Sequence, residues 1–79
     1  MKQMTLQQLK YAVTVAECRT ISKAAEKVFI SQPSLTAAIR QLEDEMNVKI
    51  FSRTNKGIEI TKDGEIFLSY ARQVLEQAD

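Results

Sequence analysis

Ser31, Gln32, Pro33, Ser34, Thr36, Ala37 and Arg40 are the residues whose types and spacing point most directly to chemistry. The chemistry they suit is hydrogen bonding to a flat polar surface rather than bond breaking. They share a stretch with Leu35, Ile39, Leu42 and Met46, spaced four, three and four apart. That spacing lines one face of an α-helix and fits no strand. Ser31 can cap the first free N–H groups, and Pro33 falls in the first turn, where its missing N–H costs little. The opposite face of the first two turns carries Gln32, Ser34, Thr36, Ala37 and Ala38, all short or amide-bearing, before the long charged Arg40. A solvated helix face would normally hold Lys and Glu. Side chains this short can approach the edges of base pairs, and the Gln32 amide can pair with adenine N6 and N7. Two accounts fit: the recognition helix of a helix-turn-helix, its N-terminal end entering the DNA major groove, or a core helix with a modest polar face.

A second polar group follows at Arg53, Thr54, Asn55 and Lys56. Residues 48–53 make a short strand candidate. Residues 54–57 make a turn, with Asn55 and Gly57 suited to positive φ. Residues 58–60 alternate apolar and polar as a second strand should. The hairpin has a basic loop directly after the polar helix, the arrangement of a wing, and Arg53 and Lys56 can reach phosphates or a neighbouring minor groove. A solvated turn with incidental charge is the alternative. Net charge is only +1, but it is uneven. Lys49, Arg53, Lys56 and Lys62 against Glu59 make residues 49–62 net +3, and Arg72 against Asp63, Glu65, Glu76 and Asp79 makes residues 63–79 net −3. A local basic patch is what phosphate contact requires.

Catalytic chemistry fares badly. The chain has no histidine, which removes histidine-containing triads and most zinc sites. Glu43, Asp44 and Glu45 are consecutive, and consecutive helix positions point in different directions. They are expected to form a solvated helix end. There is no Gly-rich phosphate loop, and no cofactor or metal is expected. The single Cys18 cannot form an internal disulfide; a reducing cytoplasmic setting and a packing role are expected.

The elements that must position these groups can be read in order. Thr5 can cap a first helix over residues 6–17, with Leu6, Leu9, Ala12, Val13 and Ala16 inward. Thr20 or Ser22 can cap a second helix to about Val28, where paired Ala24 and Ala25 allow close helix approach. The connection 29–31 suits a helix-turn-helix, although no glycine occupies it. Asn47 can end the third helix in the left-handed conformation. Thr61 caps a last helix, in which Ile66, Phe67, Tyr70, Ala71, Val74, Leu75 and Ala78 form a broad apolar stripe. Either the small core absorbs this stripe or a second copy covers part of it. The expected fold class is mainly α: a winged helix-turn-helix with a three-helix core, a two-stranded β wing and a long C-terminal linker helix. The expected division is 1–60 for the winged domain and 61–79 for the linker. The longest uncharged run, 28–39, is interrupted by Ser, Gln, Pro and Thr, so no bilayer-spanning segment is expected, nor is a signal peptide.

Several stretches together resemble a family. Thr20-Ile21-Ser22-Lys23-Ala24-Ala25-Glu26, Ile30-Ser31-Gln32-Pro33-Ser34-Leu35, Ile39-Arg40-Gln41-Leu42-Glu43, Ile50-Phe51-Ser52-Arg53 and Ile60-Thr61-Lys62-Asp63-Gly64 look like the N-terminal domain of the LysR-type bacterial transcriptional regulators. The resemblance implies binding to double-stranded operator DNA as a homodimer paired through the last helix, with higher oligomers in the full-length protein. It also implies a larger C-terminal effector domain beyond Asp79. By position, Gln32, Pro33 and Thr36 match base-reading places. Ser31, Ser34 and Arg40 match backbone-contacting places, and Arg53 and Lys56 match the wing, with Thr54 and Asn55 between them. Ile66, Phe67, Tyr70, Val74 and Leu75 fall on the pairing helix. Thr36 stands where serine is usual, Asn47 where glycine is usual, and Ala37 and Ala38 where long polar residues are common. The two alanines shift readout toward thymine methyls and DNA shape. A winged helix used only for protein–protein assembly is the remaining alternative.

Overall fold

The structure is a computed structural model and describes residues 4–78. Four helices and one hairpin follow in the order α1 (Leu6–Cys18), α2 (Ile21–Val28), α3 (Gln32–Met46), β1 (Phe51–Thr54), β2 (Gly57–Ile60) and α4 (Lys62–Ala78). This is the expected mainly α architecture, a helix-turn-helix followed by a two-stranded wing and a long last helix.

Each helix begins where a hydroxyl meets free N–H groups. Thr5 accepts the Gln8 N–H at 3.1 Å, and the Gln8 side chain returns the bond to the Thr5 N–H at 2.9 Å. This reciprocal box satisfies two groups that would otherwise need water. Thr20, rather than Ser22, caps α2 by accepting the Lys23 N–H. Ser31 caps α3, with Pro33 in the first turn. The first three helices end alike, on residues with positive φ: Arg19 at 65°, Phe29 at 62° and Asn47 at 52°. After α2 and α3 the chain also closes a wider turn, Ile30 N–H to the Ala25 carbonyl and Val48 N–H to the Glu43 carbonyl. Such bonds satisfy the last helical carbonyls.

One core joins all the elements. Leu9, Ala12, Val15 and Ala16 of α1 meet Ala24 and Ala25 of α2, Leu35, Ile39 and Leu42 of α3, and Phe67, Leu68 and Ala71 of α4. Ala24 and Ala25 are buried, as their small size anticipates. The inward face of α1 is rotated from the expected stripe. Leu6 is exposed and Val13 half-buried, while Val15 is fully buried. Leu68, absent from the expected stripe of α4, is also fully buried.

The wing is shorter at its start than periodicity implies. Residues 48–50 are not strand; pairing runs from Phe51 with Ile60 to Thr54 with Gly57. The partner strand ends at Ile60 and turns into α4 at Lys62, so residues 48–50 have no strand to pair with, and the N–H groups of Ile50 and Phe51 donate instead to Glu43 Oε2 at 2.8 and 3.2 Å. Glu43 is therefore half-buried and engaged, not part of a solvated helix end. Glu45 is half-buried as well, its Oε2 accepting from the Gln41 amide. At the tip only Gly57 takes positive φ, at 123°; Asn55 does not.

On the other side of the same segment stands α4. The Thr61 N–H donates to the Ile50 carbonyl at 2.9 Å, its hydroxyl donates to the Lys49 carbonyl, and that hydroxyl also accepts the Gly64 N–H at 2.8 Å. Asp63 and Glu65 occupy the first turn, where the helix dipole favours negative charge. Gly64 lies so close to Ile50 that a Cβ there would overlap the Ile50 backbone.

Two substitutions should move stability in opposite directions. Gly64→Ala should destabilise the fold by about 1–3 kcal/mol, the usual cost of overpacking, because the obstacle is backbone. Phe29→Gly should stabilise it by about 0.5–1 kcal/mol. The side chain there is 93% exposed and contributes little packing, while its left-handed backbone is strained for a residue with a Cβ. Urea melts of both variants read these effects.

Candidate nucleic-acid interface

The N-terminal half of α3 divides cleanly into two faces. Leu35 and Ile39 point into the core, and Gln32, Pro33, Ser34, Ala37 and Arg40 are exposed. Thr36 is half-buried beside them. Gln32, Pro33, Thr36, Ala37 and Arg40 line one shallow open surface. Its floor is made of small groups, so a flat polymer edge can come close to the helix. The Gln32 amide and the Arg40 guanidinium are the long polar groups at its two ends.

Ser31 and Ser34 hold the geometry of this end. The Ser31 hydroxyl accepts the Ser34 N–H at 3.2 Å and donates to the Ser34 hydroxyl at 2.8 Å. The Ser34 hydroxyl keeps its own proton for an outside acceptor. Pro33 has no N–H and the Ser34 N–H is taken by Ser31, so what this end of α3 adds for an anion is chiefly the positive end of the helix dipole.

The wing presents Arg53, Thr54, Asn55 and Lys56, all exposed. Thr54 is partly spent internally: its hydroxyl accepts the Lys56 N–H at 3.2 Å and donates to the Gly57 carbonyl at 3.3 Å. It shapes the tip more than it offers a free group. Arg53 and Lys56 remain the long cations there.

A cleft connects the two sets. Gln32 of α3 and Arg53 of the wing line it together with Arg19, Thr20 and Ser22 at the start of α2. Sequence spacing marks Thr20 and Ser22 only as caps and nothing in it singles out Arg19, so none of the three stands out as a site residue. Their place beside Gln32 follows from how α2 meets the wing, which no local spacing reveals.

The five residues expected on the pairing face of α4 separate. Ile66 and Tyr70 face outward, 67% and 50% exposed. Phe67 is buried, and Val74 and Leu75 are half-buried against the chain's own core. Leu68 turns that side of α4 inward, which explains the split. Ile66, Phe67 and Tyr70 line a shallow apolar groove with Met46, Val48 and Asp63.

Comparison with known proteins matches residues 6–65 to the family described as bacterial regulatory helix-turn-helix protein, lysR family. Among curated relatives, the HTH-type transcriptional regulator TfdT of Cupriavidus pinatubonensis is 47% identical over 72 residues, 91% of this chain and 32% of that protein. The chain spans about a third or less of the curated relatives it matches. Among solved structures, a CbnR_DBD–DNA complex superposes with a TM-score of 0.90 at 40% identity, covering 95% of this chain and 86% of that one. A complex of BenM_DBD with catB site 1 DNA gives a TM-score of 0.91 at 36% identity, covering 96% and 85%.

Proposed function

The chain belongs to the lysR family of bacterial regulatory helix-turn-helix proteins, and from this premise we propose that it binds double-stranded operator DNA as the DNA-reading unit of a transcriptional regulator. The single observation that carries this is the exposed, short-chained N-terminal face of α3. The basic wing beside it, and the DNA in the CbnR_DBD and BenM_DBD complexes, support the same reading. Residues 1–60 form the DNA-binding part and 61–79 the linker. The setting is cytoplasmic. We assign no catalytic role, since the curated relatives are transcriptional regulators.

The roles divide by reach. Gln32, Pro33, Thr36 and Ala37 lie against base edges in the major groove, Gln32 as the hydrogen-bonding reader and the small groups against thymine methyls. Ser31, Ser34 and Arg40 hold the phosphate backbone, and Arg53 and Lys56 extend the interface to phosphate or minor groove. Thr54 and Asn55 shape the tip. One such unit meets few phosphates and binds weakly, so two copies acting on an inverted repeat supply the affinity. Ile66 and Tyr70 are the residues of α4 best placed for pairing, with Phe67, Val74 and Leu75 supporting them from the core side.

Binding measurements on a duplex selected from a random library by the chain itself test these roles. Gln32→Ala should weaken binding by about 1–3 kcal/mol and relax preference at one position per half-site. Equal losses on selected and random duplexes would remove Gln32 as a reader. Lys56→Ala should lower the magnitude of the log K against log salt slope by about 0.9, the value for one phosphate no longer neutralised. Unchanged slope and affinity would place the wing off the DNA. Ile66→Glu should split the dimer in sedimentation equilibrium without unfolding the chain, because the side chain is largely exposed. A monomeric parent, both free and on the duplex, would contradict the pairing.

A further inference from the structure

Glu43 is an acidic residue near the C-terminal end of the helix proposed to lie on DNA, and its carboxylate is spent on backbone amides. Its Oε2 accepts the N–H groups of Ile50 and Phe51 at 2.8 and 3.2 Å. Its own carbonyl accepts the Val48 N–H at 3.0 Å. A single residue of α3 thus holds three of the four amides that lead into the wing. Ile50 is fully buried and Phe51 nearly so. Amides there carry a penalty if left without a partner.

The wing needs such a tie. It is a two-stranded sheet with strands of four residues, and an isolated hairpin of that size is marginal by itself. Strand pairing begins only at Phe51, so no ladder bond fixes the wing against α3. Thr61 anchors the neighbouring carbonyls, but from the α4 side. Among the described residues, the α3 side chain that bonds to this segment is Glu43.

We propose that Glu43 is a positioning residue for DNA recognition: its carboxylate sets the wing relative to α3, so that Gln32 and the Arg53–Lys56 tip engage one duplex together. The inference rests on the DNA-binding function proposed above. Glu43 acts through the wing and not through a DNA contact of its own, because its Oε2 is bonded to the chain's own amides. It stands eleven residues along α3 from Gln32, about 16 Å at the helical rise, and its carboxylate faces the chain's own backbone.

The test is a mutant cycle on the selected duplex, with circular dichroism melts keeping every binding measurement below the unfolding transition. Glu43→Ala removes the acceptor. Glu43→Asp keeps the charge but withdraws the acceptor by one methylene. Glu43→Gln loses the charge but keeps an amide oxygen in place. The alanine and aspartate variants should bind about tenfold more weakly, with the salt slope reduced by about 0.9 for each phosphate that the wing no longer reaches. The glutamine variant should stay within about twofold of the parent. Lys56→Ala should then cost affinity in the parent but almost none on top of Glu43→Ala, whereas Gln32→Ala should cost the same factor in both backgrounds. If Glu43→Ala does not fold, Glu43→Asp takes its place in the cycle. Full additivity with Lys56→Ala, or alanine and aspartate variants that bind like the parent with an unchanged slope, overturns the proposal. A parent chain that binds neither selected nor random duplex fails the DNA-binding reading itself, a result visible before any Glu43 variant is made.

Discussion

Buried backbone amides must find partners, and the short passage between α3 and β1 has no strand beside it to supply them. The structure meets this demand from two sides. Glu43 takes the N–H groups of Ile50 and Phe51, and Thr61 takes the carbonyls of Lys49 and Ile50. Gly64 completes the arrangement by lacking a Cβ where the Ile50 backbone presses against α4. Four residues of backbone thereby lock three elements together. The polar helix, the wing and the last helix cannot move independently without breaking these bonds, most of them partly buried.

Much else in the fold follows from small size. A chain of 79 residues has a thin core, and this one is built with alanine at the helix crossings, where Ala12, Ala24, Ala25 and Ala71 let the backbones approach. Leu9, Leu35, Leu42 and Leu68 fill the centre. Close packing of this kind leaves the N-terminal half of α3 standing proud on one side, with its polar residues unburied. The left-handed turn at Phe29 aims it there, at the expense of a strained backbone and an exposed ring. The strain belongs to the side chain and not to the turn: glycine would hold the same left-handed backbone without it.

The elements are largely legible in the sequence because each carries its own punctuation. Thr5, Ser31 and Thr61 stand at helix starts, Asn47 takes the left-handed conformation that its short polar side chain tolerates, and paired alanines mark a close crossing. What stays hidden depends on partners distant along the chain. Nothing local separates Glu43 from Asp44 and Glu45, yet Glu43 is bonded to amides seven and eight residues away while Asp44 is exposed. The apparent strand at 48–50 alternates apolar and charged, but its partner strand gives way to α4 at Lys62, so the segment bonds to Glu43 and Thr61 instead of a ladder. Leu68 is different: it stands three and seven residues before Ala71 and Leu75, so helical spacing already puts it on their face although the expected stripe omits it. Arg19, Thr20 and Ser22 join Gln32 and Arg53 in one cleft only after α2 and the wing are folded together.

The central claim is that one surface, the N-terminal face of α3 with the wing tip, meets DNA. Backbone amide chemical shifts, followed while the selected duplex is titrated into isotopically labelled chain, test it most directly. The account predicts that the changes concentrate at residues 31–40 and 53–57, with a smaller set at 19–22. Changes confined to α1 and the outer face of α4, with residues 31–40 unmoved at saturation, would contradict it.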